Sequence, residues 1–126
     1  QCTLFPYTTL FRSRQFLHQH HFCIVQEKML IDEGKYYTVM RVVHGEESPY
    51  TEAEDLYGRH LIDDKSPVLA KYLAGQKNVK EKLLEALYSK DSEKSLKRQQ
   101  ELLHELQMIN DTIARMVDEN AEQRAD

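Results

Sequence analysis

The spacing of apolar and polar positions changes character along this chain. Over residues 36–44, YYTVMRVVH, a period of two puts Tyr37, Val39, Arg41 and Val43 on one face and Tyr36, Thr38, Met40, Val42 and His44 on the other. A short apolar run, Met29 to Ile31, precedes it, and Asp32-Glu33-Gly34 stands between the two with a glycine suited to positive φ. This predicts a β-hairpin. Both faces of its second strand are largely apolar, so the hairpin is expected to be covered on one side and partly on the other. Should residues 20–28 be genuine protein, they extend the first strand.

From residue 51 the period lengthens to that of a helix. Thr51 with Glu54 has the form of a capping box, in which each side chain bonds a backbone N–H near the other. Ala53, Leu56, Tyr57, His60 and Leu61 then recur at three- and four-residue steps. Gly58 interrupts them at a cost of about 1 kcal/mol against alanine, so this helix should be short or bent. Ser66-Pro67 restarts helix, with serine as N-cap and proline in the first turn. That helix is expected over 67–74, stopping at Gly75, and another over 78–88, capped by Asn78 with Glu81 and carrying Val79, Leu83, Leu84 and Leu87.

Beyond Asp91 a single long helix is predicted. Leu102, Leu106, Ile109, Ile113 and Met116 alternate steps of four and three, the seam of a coiled coil, and Leu103 and Val117 widen it. Such a seam has to be buried, either against residues 79–88 or against a second copy of the chain, and a homodimer is the expectation. The fold class is then α+β and mostly helical: an N-terminal β-hairpin, short helices, and a long amphipathic C-terminal helix of coiled-coil type.

The opening residues fit neither period. CTLFPYTTLFRS has its positive charge at the wrong end for a secretory signal. Back-translated, residues 3–13 match the end of a short-read sequencing adapter codon for codon, so residues 1–13 are expected to be a technical scar. Gln26-Glu27-Lys28 back-translates to a purine run directly before Met29, as a bacterial ribosome-binding site would be. Residues 14–28 are therefore expected to be untranslated leader or disordered. The remainder divides into a small α+β domain, 29–90, and the C-terminal helix, 91–126.

Charge sharpens this division. Residues 29–64 carry three Lys/Arg against nine Asp/Glu, residues 65–98 nine against four, and residues 99–126 two against seven. A uniformly basic nucleic-acid binder is excluded, yet a basic middle stands between acidic ends. Both cysteines, Cys2 and Cys23, precede Met29, so neither a disulfide framework nor a cysteine metal site is expected. No apolar run reaches the roughly 18 residues of a membrane span, and a cytoplasmic protein is expected.

Candidate chemistry is sparse. His18-x-His20-His21-x-Cys23 holds zinc-ligand types, but strand alternation divides them between two faces, and no second ligand pair follows. His60 and Asp64 share a helix face only if the helix persists, and a surface histidine beside solvated acids is the simpler reading. No serine sits in a nucleophile elbow and no glycine-rich loop is present to cradle a phosphate. No catalytic, cofactor-binding or metal residue is assigned.

The expectation is a non-catalytic adaptor or regulator acting through protein contacts with an unknown partner, dimerised through Leu102, Leu103, Leu106, Ile109, Ile113, Met116 and Val117. The alternative is a dimeric helix-turn-helix-like transcriptional regulator. Its helices 67–74 and 78–88 would approach duplex DNA, with Lys71, Lys77, Lys80, Lys82 and Lys90 meeting phosphates.

Overall fold

The protein is described by a computed structural model covering residues 2–125. It divides into two compact units, residues 1–69 and 70–126.

The first unit is built on a three-stranded antiparallel sheet. Its strands are β1 (Cys2–Pro6), β2 (Phe22–Asp32) and β3 (Lys35–His44), in the order β1-β3-β2. β1 and β2 thus run parallel to each other with β3 inserted between them. A 3-10 turn (Tyr7–Thr9) and α1 (Leu10–Gln19) connect β1 to β2, and α2 (Glu52–Tyr57) and α3 (Arg59–Asp63) follow β3.

The hairpin expected over 29–44 is present, and its turn follows from backbone chemistry. Asp32 pairs with Lys35 across a two-residue loop, Glu33-Gly34, whose φ angles are both positive, at 50° and 78°. That is the pattern of a type I′ turn, whose twist matches that of the flanking strands. The first strand is longer than residues 29–31, however, and the boundary expected at Met29 falls inside it. A register shift between Ile24 and Gln26 inserts one extra residue on β2. The insertion reverses the inside–outside parity, so Ile24 before it and Glu27 and Met29 after it are all buried. Opposite them, Thr38 and Met40 of β3 are fully buried. Residues 14–28 thus supply Arg14, Ile24 and Glu27 to the interior of the unit. Tyr7 and Leu10 are buried as well, whereas Phe11 is exposed.

The capping box at Thr51 forms as expected: Thr51 Oγ1 accepts from Glu54 N at 3.2 Å and Glu54 Oε1 accepts from Thr51 N at 2.9 Å. Gly58, at φ +96°, separates α2 from α3. A Cβ there would lie 2.9–3.1 Å from the Arg14 guanidinium and the Glu27 carboxylate, so only glycine fits both the backbone and the space.

The second unit centres on a helical hairpin. α4 (Pro67–Leu87) starts as predicted, with Ser66 Oγ accepting from Leu69 N at 3.2 Å, but it does not stop at Gly75. The helix is continuous, so helices 67–74 and 78–88 with a turn between them do not exist, and the helix-turn-helix expectation fails with them. One glycine costs about 1 kcal/mol, less than is recovered by burying Leu73 and Leu84 on the same helix. α5 (Glu93–Ala125) follows, capped by Ser92, whose Oγ accepts from Ser95 N at 3.1 Å.

The hairpin is antiparallel, as the Lys80–Glu105 ion pair at 3.1 Å and the bond from Gln99 Nε2 to the Leu87 carbonyl at 2.8 Å require. Leu84, Leu102 and Leu106 form one cluster, with Leu87 packed against it. Of the expected seam, Leu102, Leu106, Ile109 and Met116 are buried within the chain, whereas Leu103 and Val117 are about half exposed. The intramolecular fold thus supplies the burial that the homodimer was invoked to provide, which corrects that expectation. No helix of the described residues is long and apolar enough to cross a membrane.

Candidate functional site

The most demanding chemistry in the first unit is a buried ion pair. Arg14, on α1, and Glu27, on β2, both have side chains at 0% exposure. The pair is bidentate: Arg14 Nη2 donates to Glu27 Oε2 at 2.5 Å and Nε donates to Oε1 at 3.2 Å. The remaining Arg14 nitrogen, Nη1, donates to the Asp55 carbonyl at 2.7 Å, tying α1 to α2. The Thr38 hydroxyl lies 2.8 Å from Glu27 Oε2 and 3.0 Å from the Lys28 carbonyl, and its single proton can serve only one of them at a time. A buried charge is tolerated only when paired and hydrogen-bonded, and this one is saturated on every side. It is therefore a brace and not a reactive group.

Beside the brace lies a cavity of about 330 Å³ lined by Gln15, His18, Phe22, Glu47, Tyr50 and Asp55 among others. His18 Nε2 meets Glu47 Oε2 at 2.8 Å, and the same oxygen accepts from Ile24 N at 2.8 Å. Arg59 pins the loop that forms one wall. Its Nε donates to Glu54 at 3.0 Å, Nη1 to Ser48 Oγ at 2.9 Å and Nη2 to the Pro49 carbonyl at 2.8 Å, while its plane covers the Tyr50 ring at 4.3 Å. The hydrogen bond to Glu54 raises the Arg59 pKa further. Burial pushes the Asp55 carboxyl up from its ordinary value, against the pull of His18 and Arg14.

A histidine oriented by a carboxylate is half of a nucleophilic triad, but the nearby thiol does not complete it. Burial raises the pKa of Cys23, and the adjacent Glu47 raises it further, so the thiol stays protonated and a poor nucleophile. The other histidines of that segment have their own partners: His21 Nδ1 bonds Glu46, and the His20 ring lies 4.2 Å from that of Phe16. Among the described residues no three His, Cys, Asp or Glu side chains are grouped to hold a metal. His60 is structural, because its Nε2 lies 2.7 Å from the Ile24 carbonyl, and a carbonyl only accepts.

Tyr50 supplies a test of this wall. Its hydroxyl is buried with no hydrogen-bond partner among the described residues. Burial, with Glu47 nearby, pushes its pKa well above the ordinary 10.0. The folded state therefore keeps the phenol neutral while the unfolded chain ionises. The associated stability is complete below the unfolded pKa and is lost as pH rises through the alkaline range. Tyr50→Phe should be neutral or mildly stabilising at pH 7, since it removes an unsatisfied polar atom of similar shape. It should also flatten the alkaline loss of stability. Urea midpoints across the pH range measure both effects, and a large loss at pH 7 would reveal a hydrogen bond that the geometry does not contain.

The candidate lysines of the second unit are not gathered on one face. Lys71 and Lys82, eleven residues or three helical turns apart, share an exposed outward face of α4. Lys80 turns toward α5 and is held by Glu105, Lys77 is half-buried, and Lys90 lies exposed beyond the helix end.

Comparison with known proteins decides what this framework belongs to. Residues 1–111 match the family model described as tRNA (adenine(22)-N(1))-methyltransferase. No match is found among curated protein sequences. Several solved structures share the fold. An uncharacterised protein from Listeria monocytogenes serotype 4b superposes with a TM-score of 0.75 at 20% identity, over 83% of this chain and 47% of that one. The B. subtilis M1A22 tRNA methyltransferase TrmK gives 0.72 at 20% identity, over 82% and 47%. Streptococcus pneumoniae Sp1610, solved in complex with S-adenosyl-L-methionine, gives 0.72 at 23% identity, over 89% and 46%. This chain thus spans about half the length of the solved structures it matches.

These findings overturn the expectation of a non-catalytic adaptor and that of a transcriptional regulator on duplex DNA, because the matching family is one of enzymes that act on RNA. They give no support to a homodimer. Nothing in the local residue patterns announced this, and the buried Arg14–Glu27 brace of the first unit lies in residues read as untranslated leader or disordered. No local signal marked it, because Glu27, opposite Met40, is turned inward only by the extra residue on β2.

Proposed function

Since the chain belongs to the tRNA (adenine(22)-N(1))-methyltransferase family, we propose that it contributes one edge of the catalytic sheet and an RNA-contacting helical hairpin to an enzyme that methylates an adenine of tRNA. The family match over residues 1–111 is the observation that carries this reading. S-adenosylmethionine, bound by the Streptococcus pneumoniae relative, is the methyl donor implied. A cytoplasmic setting, where tRNA is found, suits such an enzyme.

The residues of this chain do not by themselves make a cradle for that donor. A nucleotide-type ligand is held where a strand turns into a helix through glycine-rich backbone. Here the turn between β1 and α1 holds no glycine, and that between β3 and α2 sets Gly45 directly before Glu46 and Glu47, which repel a carboxylate. Gly34 serves the hairpin turn, Gly58 packs on the brace and Gly75 sits within α4. No step of methyl transfer is therefore assigned to a residue of this chain.

What the chain can offer is a surface for the substrate. Residues 65–98 carry nine Lys/Arg against four Asp/Glu, and Lys71, Lys82 and Lys90 are exposed, with Lys77 and Lys80 partly so. RNA phosphates are the natural counterpart of such a surface. Filter binding tests the reading directly. The chain should retain labelled tRNA more tightly than duplex DNA of equal length, with affinity falling as salt rises, while calorimetry with S-adenosylmethionine should record no binding to this chain alone. Equal retention of both nucleic acids, or of neither, would count against it.

A further inference from the structure

We infer that Tyr88, at the turn between α4 and α5, is a stacking platform for an unpaired base of the RNA substrate; this rests on the proposal that the helical hairpin contacts RNA. Tyr88 is 60% exposed, the most exposed of the large hydrophobic side chains in the described residues. Its neighbours Leu84 and Leu87 on α4 turn inward to the cluster with Leu102 and Leu106. The ring therefore stays in water while the adjacent apolar groups are buried.

The turn that presents it is held in shape from both sides. Tyr88 N donates to the Leu84 carbonyl at 3.2 Å. From α5, Gln99 Nε2 reaches the carbonyls of Leu87 at 2.8 Å and Lys90 at 3.4 Å. Lys90 N closes back on the Leu87 carbonyl at 3.0 Å. A base arriving on the ring meets a platform whose backbone is already ordered, so little is lost in fixing it.

The surroundings suit a phosphodiester chain. Lys90, Lys94 and Lys97 are exposed and belong to no ion pair found among the described residues, whereas Arg98 is committed to Glu101 at 3.1 Å and Glu105 at 3.5 Å. Asp91 and Glu93 interrupt the lysines, so the tip has no continuous basic track of the kind that follows a duplex backbone. An exposed ring flanked by cations offers a single-stranded nucleic acid a stacking face for one unpaired base and charges for the neighbouring phosphates. Paired bases offer no such face except at a helix end.

Fluorescence anisotropy with the whole chain tests this, using a labelled single-stranded oligoadenylate of about 12 nucleotides and an RNA duplex of the same length. Tyr88→Ala and Tyr88→Leu should each weaken binding of the single strand about tenfold, while Tyr88→Phe stays within about twofold, because stacking requires a ring and not a hydroxyl. Binding of the duplex should be unaffected by all three. Leucine binding as well as tyrosine, equal losses on single strand and duplex, or no loss at all would overturn the inference. If the Tyr88 variants change nothing while reversal of the exposed lysines lowers affinity, this inference falls and the RNA-binding hairpin stands. If the wild-type chain binds neither RNA, both fall.

Discussion

Replacing Arg14 with methionine is expected to destabilise the first unit by about 3–5 kcal/mol, the cost of leaving one member of a buried pair without its partner. Both side chains are fully buried, and the Glu27 carboxylate would retain only the Thr38 hydroxyl. The Asp55 carbonyl would lose its donor at the same time, loosening α2 from α1. Stabilities of small domains lie between about 5 and 15 kcal/mol, so a single substitution of this kind removes a large share of the total. Urea unfolding followed by circular dichroism measures it. The reciprocal change, Glu27→Gln, should also be costly, because it sets a neutral amide against a buried guanidinium.

The double variant Arg14→Met with Glu27→Met separates two meanings of that number. Two apolar side chains of similar volume leave no orphaned charge, so the double variant should be more stable than either charge-breaking single. That result would mark the pair as costly to break while adding little net stability. Additive losses would instead mean that the pair itself supplies several kcal/mol. An Arg14→Met variant within about 1 kcal/mol of wild type would contradict the 0% exposure on which this account depends.

The brace also shows which features local sequence patterns carry. The Glu33-Gly34 turn, the Thr51–Glu54 box, the Ser66 cap and the break at Gly58 were all legible, because each is decided by residues no more than a few positions apart. The alternation of Thr38 and Met40 was legible for the same reason. What could not be read are pairings set by the fold as a whole. Arg14 and Glu27 lie thirteen residues apart on different elements, and the extra residue at the bulge, which turns Glu27 inward, leaves no mark on composition or periodicity.

Two misreadings have a common cause. Gly75 looked like a helix terminus because local propensity ends helices at glycine, but burial of Leu73 and Leu84 on the inner face of α4 carries the helix through. The same burial closes α5 onto α4, so a seam that looked intermolecular is satisfied within the chain. The function was hidden more deeply. The basic middle segment was visible in the sequence, but a charge excess does not state which polymer it meets, and no donor-binding motif lies within these residues to name the chemistry.

Reversing Lys71, Lys82 and Lys90 to glutamate together is expected to lower affinity for tRNA on the order of a hundredfold at about 0.1 M salt. Each neutralised phosphate contributes close to one power of salt concentration, so losing three contacts removes between two and three decades. The slope of log affinity against log salt should become shallower by about 2–3. These three side chains are exposed and belong to no ion pair found among the described residues, so the substitutions should leave the helical content and the urea midpoint close to wild type. Lys80 provides the contrast. It lies on the inner side of α4, committed to Glu105 at 3.1 Å, and Lys80→Met should change the salt slope little while costing under about 1 kcal/mol of hairpin stability. If Lys80→Met weakened RNA binding as much as the triple reversal, the inner and outer faces of α4 would be indistinguishable to the substrate. The outward lysine face would then no longer explain binding. An unchanged salt slope in the triple variant would move the RNA-contacting surface away from α4 altogether, whereas a shallower slope with intact stability would fix it there.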